Sequence, residues 1–485
     1  MRALTAAVLT AALLFQAQAP YDLVIRGGRV MDPETGLDGV RTVGIRNGAI
    51  ARITTENLAG ARTIDASGLT VAPGFIDLHS HGQDAENYRL KALDGVTTAL
   101  ELEIGVLDVA GFIAARTGHA LINFGATASH PAARVATLGH PMPPGAVVPA
   151  SSSATTDRLT DEQFSAMAGL IEKGLAAGGL GIGMGLAYTP GATRLEVVRV
   201  FRIAAAHHVP IYVHVRSAGR IEPGSSIESI GEVIGAAAAT GAPLHIVHIN
   251  SIGLRDSAEC LRLVEGARAR GLDVTTEAYP YGAGMTAINS GVFDSGWPEK
   301  LGITYRDLQL VETGERLTKE RFEVLHASPD PTLVLLYLNP DEIVDAVIEH
   351  PLTMVASDGE VSHGKGHPRG AGTYARILAR YVRDRRTLTL MDALRKMTLM
   401  PAQRLEGAAP PARRKGRVQE GADADLVVFD PRTVQDQATY EKGPLPSTGF
   451  RYVLVAGTPI VFDGTIVDGV FPGRALTTSS ANSGK

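Results

Sequence analysis

Eight short apolar runs, each followed by a helical pattern or a long loop, constrain this chain more than any other feature. They are GFIDLHSH (74–81), TTALELE (97–103), HALINFGAT (119–127), GLGIGMGL (179–186), PIYVHVR (210–216), PLHIVHI (243–249), DVTTEAYP (273–280) and LTMVASDG (352–359). Between them, DEQFSAMAGLIEKGLAAG (161–178) and LEVVRVFRIAAAHH (195–208) carry helical periodicity. Short buried strands alternating with helices imply parallel βα units, and eight such units predict an α/β fold, the closed (β/α)8 TIM barrel. The chain has 485 residues, far more than the roughly 250 a barrel needs. The surplus lies at both ends, where alternating apolar positions and Gly/Asn/Pro punctuation predict short strands: YDLVIRGGRVMD near the start, DLVVFD and FRYVLVAGTPIVFDG near the finish. The expected layout is a barrel over 71–408, with a small β-sandwich domain assembled from 20–70 and 409–476. Residues 281–351 are too many for an ordinary loop and are expected to form an insertion before the last barrel strand, covering the barrel mouth.

Composition removes several classes of function. Net charge is −5, with 51 acids and 46 bases interleaved, which argues against nucleic acid or an anionic membrane as the partner. The single cysteine, Cys260, excludes a disulfide framework, an iron–sulfur cluster and a cysteine-rich zinc site, while 14 histidines leave imidazole as the metal ligand. At the N-terminus, MRALTAAVLTAALLFQAQAP has one arginine, an apolar stretch too short for a bilayer of ~30 Å, and a small-x-small Ala17-Gln18-Ala19. Residues 1–19 are therefore expected to be a signal peptide, with the protein exported, periplasmic or secreted, and without a membrane anchor. Residues 477–485, TTSSANSGK, are expected to be a disordered tail.

In a barrel of this kind the carboxyl ends of the strands face the active site. The first run ends in His79-Ser80-His81, whose imidazoles share one side of a strand and can meet one metal. His214 and His248 end the fifth and sixth runs. Each alone reads as a hydrogen-bonded structural residue; together, in one barrel with the HxH pair, they read as ligands. His245 is out of phase with His248 and is expected to point into the barrel–helix layer. The eighth run ends with Asp358, placed to bind a metal and to shuttle a proton from a metal-bound water, or else to cap a turn. Two cations close together need a bridging anion. None of the nine lysines (Lys91, Lys173 and Lys365 among them) ends a strand, so a carboxylated lysine is excluded. Glu103 is the bridging candidate, with Glu101 one layer deeper in reserve, because an acid buried in a strand needs a cation or a proton.

At these residues the chain resembles the amidohydrolase superfamily of metal-dependent hydrolases, and within it the N-acyl-D-amino-acid deacylase group. The resemblance rests on PGFIDLHSH, INFGATASH with His130, LTDEQFSAMAGLIEKGLAAGGLGIGMGLAYTPG, YVHVR, EAYPYGAG, SDG followed by HPRGAGTYARIL, and RKMTLMPAQRL. It implies zinc, as one or two ions, held by His79, His81, His214 and His248; a carboxylate bridge in place of the group's cysteine favours two. It further implies attack of a zinc-bound hydroxide on an amide carbonyl, with Asp358 as the catalytic aspartate and Tyr281 and Arg369 gripping the substrate carboxylate. Two departures stand out. The group usually carries a cysteine ligand after the second strand, where this chain reads LELEIG. Direct counting puts Ile104 there, so Glu103 serves only after a one-residue slip. A lysine common after the sixth-strand histidine, where it helps hold the substrate carboxylate, is replaced by Asn250, which the resemblance makes a third substrate-binding candidate beside Tyr281 and Arg369.

The expected activity is hydrolysis of a linear amide in an N-acyl amino acid or similar small molecule. The enzymatic alternatives are a cyclic amide hydrolase of the hydantoinase or dihydroorotase kind, or a dipeptidase, on the same metal frame. A third, of another class, is a non-catalytic binding protein on a degenerate scaffold, which the intact set of four histidines and Asp358 argues against. A homo-oligomer is left open.

Overall fold

A computed structural model describes residues 21–140, 142 and 146–478; the proposed signal peptide and residues 479–485 lie outside them. The eight runs form the eight parallel strands of one sheet: β1 (Phe75–Asp77), β2 (Val96–Val106), β3 (Asn123–Ser129), β4 (Ile182–Gly185), β5 (Ile211–His214), β6 (Leu244–Ile246), β7 (Val274–Ala278) and β8 (Thr353–Val355). They pair in chain order from β1 to β8. The ladder stops at the β8–β1 seam, which is closed by loop contacts instead. Asp358 donates its N–H to the His79 carbonyl at 2.8 Å, and His81 donates to the Gly359 carbonyl at 3.0 Å.

Helices with one apolar stripe cover the outside, as the 3.6-residue period of the sequence requires. Asp161–Ala176 buries Phe164, Met167, Ile171 and Leu175, and opens with a Thr160/Gln163 capping box. Arg194–Ala206 buries Val197, Val200, Phe201 and Ala204. The helix Ala85–Leu93 crosses from β1 to β2 and buries Lys91 on its inner face.

Both chain ends build one further sheet of nine strands, with Leu426–Phe429 pairing antiparallel to Thr70–Pro73 to join the two halves. Its longest strand, Tyr21–Asp32, takes Gly60–Asp65 along one half and Thr70–Pro73 along the other. Leu23, Ile25, Val43, Ile45, Leu426 and Val428 give this sheet its own core. The alternate side chains Val427, Phe429 and Val453 join the barrel's core, so the module is continuous with the barrel.

Within 281–351, the strands Ala283–Ala287, Leu308–Leu310 and Leu333–Tyr337 make a separate antiparallel sheet. It packs on its own cluster, which includes Phe293, Trp297, Leu317 and Phe322. The helix Asp341–Glu349 that follows buries Val344, Val347 and Ile348 in the barrel core, and so serves as the crossover into β8. Of the expected tail, only Thr477 and Thr478 fall within the described residues; Leu476 and Thr478 are buried, and their N–H groups bond the carbonyls of Phe124 and Gly178.

Candidate metal centre

The strand ends bring His79, His81, Glu103, His214, His248 and Asp358 into one buried cluster, and Glu103 lies at its middle. Its Oε2 is 3.1 Å from Nε2 of both His79 and His81, while Oε1 is 2.7 Å from His214 Nδ1 and 2.9 Å from His248 Nε2. Asp358 Oδ1 stands 3.3 Å from Nε2 of His79 and of His81. Two ligand groups result, one of His79, His81, Glu103 and Asp358, the other of Glu103, His214 and His248.

Around Glu103 the strand β2 bulges away from regular pairing. Glu101 pairs with Ala126 on β3, but the next pairing is Val106 with Ala128, so β2 spends five steps against two. The backbone turns at Gly105, φ +71°, where a Cβ would fall 2.4 Å from Thr127 Oγ1; only glycine fits. Glu101 receives the N–H groups of Ile104 and Gly105 and reaches His81 Nδ1 at 2.7 Å. It braces the His81 ring, while Glu103 occupies the centre of the cluster.

His245 departs from expectation. Strand alternation was counted back from His248, but β6 ends at Ile246 and His248 adopts φ 28°, ψ 57°. That left-handed step breaks the period of two, so both imidazoles turn inward. His245 Nε2 lies 3.1 Å from Glu277 Oε2, and Glu277 Oε1 lies 2.6 Å from His79 Nδ1. Sequence reasoning missed Glu277. An acid inside the buried run DVTTEAYP carries the signal that singled out Glu103.

These residues fit divalent cations. Glu277 and Glu101 take Nδ1 of His79 and His81, which leaves both Nε2 atoms facing Glu103 and Asp358, the carboxylate–histidine arrangement that fixes a metal-binding tautomer. Burial disfavours a charged ring at His79, yet Asp358, Glu103 and Glu277 outweigh it and raise it to about 10. His81 is also raised well above its ordinary value against its burial, chiefly by Glu101. Glu103 goes the other way: despite burial, the histidines hold it well below the usual carboxylate range. The carboxylates around these rings thus favour positive charge at the centre of the cluster. Zinc uptake by apo-protein near pH 7 is expected to release protons, measurable by calorimetry in buffers of different ionisation enthalpy. Uptake without release would show His79 already neutral.

A cavity of about 310 Å³ opens over the cluster, lined by His81, His214, His248, Asp358 and Arg369 at its base. Met285, Leu333, Leu336 and Leu338, from the insertion and the segment leaving it, give it an apolar wall. Arg369 Nη1 lies 2.9 Å from Asp358 Oδ2, with its guanidinium 4.5 Å from the Tyr279 ring centre. The other two residues singled out for substrate do not line the cavity. Tyr281 is buried against His367 and Tyr440, its hydroxyl without a hydrogen-bond partner, and Asn250 donates Nδ2–H to the Tyr279 carbonyl at 3.1 Å. Tyr279 and Tyr188 take their place in the lining, with the Tyr188 ring 4.9 Å from that of His214.

The amidohydrolase family model matches residues 62–461. The chain belongs to the amidohydrolase family. It is 32% identical to a D-aminoacylase of Alcaligenes xylosoxydans xylosoxydans, covering 95% of this chain and 99% of that protein. It is also 32% identical to an N-acyl-D-glutamate deacylase of the same organism, over 91% and 94%. Among solved structures, the N-acyl-D-glutamate deacylase of Bordetella bronchiseptica, complexed with zinc and a phosphonate mimic of the tetrahedral intermediate, superposes with a TM-score of 0.78. That match has 27% identity and covers 95% of this chain and all of the other. This member therefore stands with the N-acyl-D-amino-acid deacylases.

Proposed function

We propose that this family member is a zinc-dependent hydrolase of the linear amide bond of N-acyl-D-amino acids. The observation that carries the proposal is Glu103, with one carboxylate oxygen toward each histidine pair. The activities of the relatives support the substrate class. Zinc held by these ligands would supply an activated water and polarise the amide carbonyl.

The chain's own groups do the rest. Asp358, beside His79 and His81, accepts the proton of the attacking water on its carboxylate and returns it to the leaving nitrogen. Against its burial, Arg369 and His79 hold that carboxylate below its ordinary range, which favours the ionised form. Arg369 keeps Asp358 oriented and offers its remaining donors to the substrate carboxylate, which suits a guanidinium fork. Tyr279 holds the Arg369 plane, Asn250 supports Tyr279 from behind, and the apolar wall excludes water from the acyl group or side chain.

A panel of N-acetyl-D-amino acids, their L forms, dipeptides and hydantoins tests the proposal. The D series is expected to lead the L series by roughly 10²-fold or more in kcat/KM, since a misplaced carbonyl loses its alignment with the nucleophile. A hydantoin turned over best would place the protein with the cyclic amide hydrolases. We also propose export, supported by the character of residues 1–19, which N-terminal sequencing of protein from the periplasm or medium checks.

A further inference from the structure

The barrel's open seam is closed by a buried ionic staple outside the ligand set. Lys91 comes from the helix Ala85–Leu93 and is 1% exposed, with its Nζ 2.6 Å from Asp77 Oδ2. It also donates to Ser357 Oγ. Ser357 donates its hydroxyl to Asp77 Oδ2 at 2.6 Å and its N–H to Asp77 Oδ1 at 2.9 Å. The same Ser357 oxygen accepts the Gly359 N–H at 3.0 Å. Asp77 ends β1, two residues before His79, and Ser357 immediately precedes Asp358. The sheet has no ladder between β8 and β1, so this triad and the loop bonds around it fix the two sides of the seam. Asp358 sits there at φ +52°, an αL conformation that a non-glycine residue holds only when its surroundings impose it.

We propose that Lys91 is a positioning residue for the hydrolytic reaction: by stapling Asp77 to Ser357 it sets the Asp358 carboxylate against the His79–His81 pair. Lys91 touches neither substrate nor ligand atoms; it acts through Ser357 and the αL turn. A cation suits the task. It has three donors and no acceptor, so it can hold the Asp77 carboxylate and the Ser357 oxygen together, and the carboxylate it neutralises could not otherwise lie buried here. The turnover readout rests on the deacylase reading above.

The test compares Lys91→Met with the charge-balanced double variant Lys91→Met/Asp77→Asn. The single variant leaves Asp77 buried and unpaired, and is expected to lose thermal stability and turnover together. The double variant is expected to regain most of the stability and to bind as much metal as the parent. Its kcat should stay depressed by 30-fold or more, with KM changed less than 3-fold. The visible absorption of the cobalt-substituted double variant should also differ from the parent's, reporting a moved ligand without reference to any substrate. A double variant that recovers stability together with kcat and the parental cobalt spectrum would overturn the proposal and leave Lys91 a purely structural residue. If the parent hydrolyses no N-acyl-D-amino acid, the deacylase reading fails, and the cobalt spectrum alone decides the role of Lys91. Should the double variant not fold, Ser357→Ala, which keeps the Lys91–Asp77 ion pair, is measured in its place. A parental kcat and spectrum in that variant would equally overturn the proposal.

Discussion

Asp358→Asn is expected to lower kcat by roughly 10²–10⁴-fold, the range that a positioned acid–base group contributes, while metal content stays close to that of the parent. Asparagine keeps the size of the side chain and one oxygen for coordination, but it cannot take up a proton. The four histidines and Glu103 are untouched, and the Arg369 guanidinium loses an anionic partner 2.9 Å away without losing the Tyr279 ring it lies over. Steady-state kinetics together with elemental analysis of the same sample separate chemistry from metal loss. Parental turnover in this variant would remove Asp358 from the mechanism.

Glu103→Gln is expected to reduce bound metal from two ions to one or fewer. An amide offers one acceptor oxygen, and its nitrogen does not ligate a cation, so one histidine pair loses its carboxylate oxygen and the anion between two cations disappears. Replacing residues that merely orient ligands typically costs 10–100-fold in metal affinity; removal of a shared ligand should exceed about 10²-fold. Glu101→Gln is the internal comparison, because among the described residues the Glu101 carboxylate reaches His81 Nδ1 and the bulge N–H groups and no other side chain of the cluster. It should stay within the 10–100-fold range. Chelator competition measures both. Equal losses in the two variants would deny Glu103 its central place.

The barrel and most of the candidate metal cluster were legible because local signals carry them. Each buried strand is a short apolar run, and each histidine ligand ends one. Glu103 was reached by elimination: no second-strand cysteine and no lysine at a strand end left a buried acid. What the sequence hid is long-range or conformational. The β2 bulge depends on how Thr127 on the next strand meets Gly105, and a count along one strand cannot see it. His245 was sent outward because strand alternation fails at the left-handed His248. Tyr281 and Asn250 lie behind the cavity wall while Tyr279 and Tyr188 form it; Tyr279 and Tyr281 are two residues apart, and only the loop path decides which of them faces the cavity. The Lys91 staple joins residues 14 and 266 positions apart, with no local pattern to mark it.

The central claim is that Glu103 joins two cation sites through its two oxygens. Crystals of the zinc-loaded protein, with anomalous data collected on both sides of the zinc edge, test it most directly. Two anomalous peaks are expected, one beside Oε2 among His79, His81 and Asp358, the other beside Oε1 between His214 and His248. A single fully occupied peak, or two peaks with the Glu103 carboxylate turned away from either, would contradict the claim.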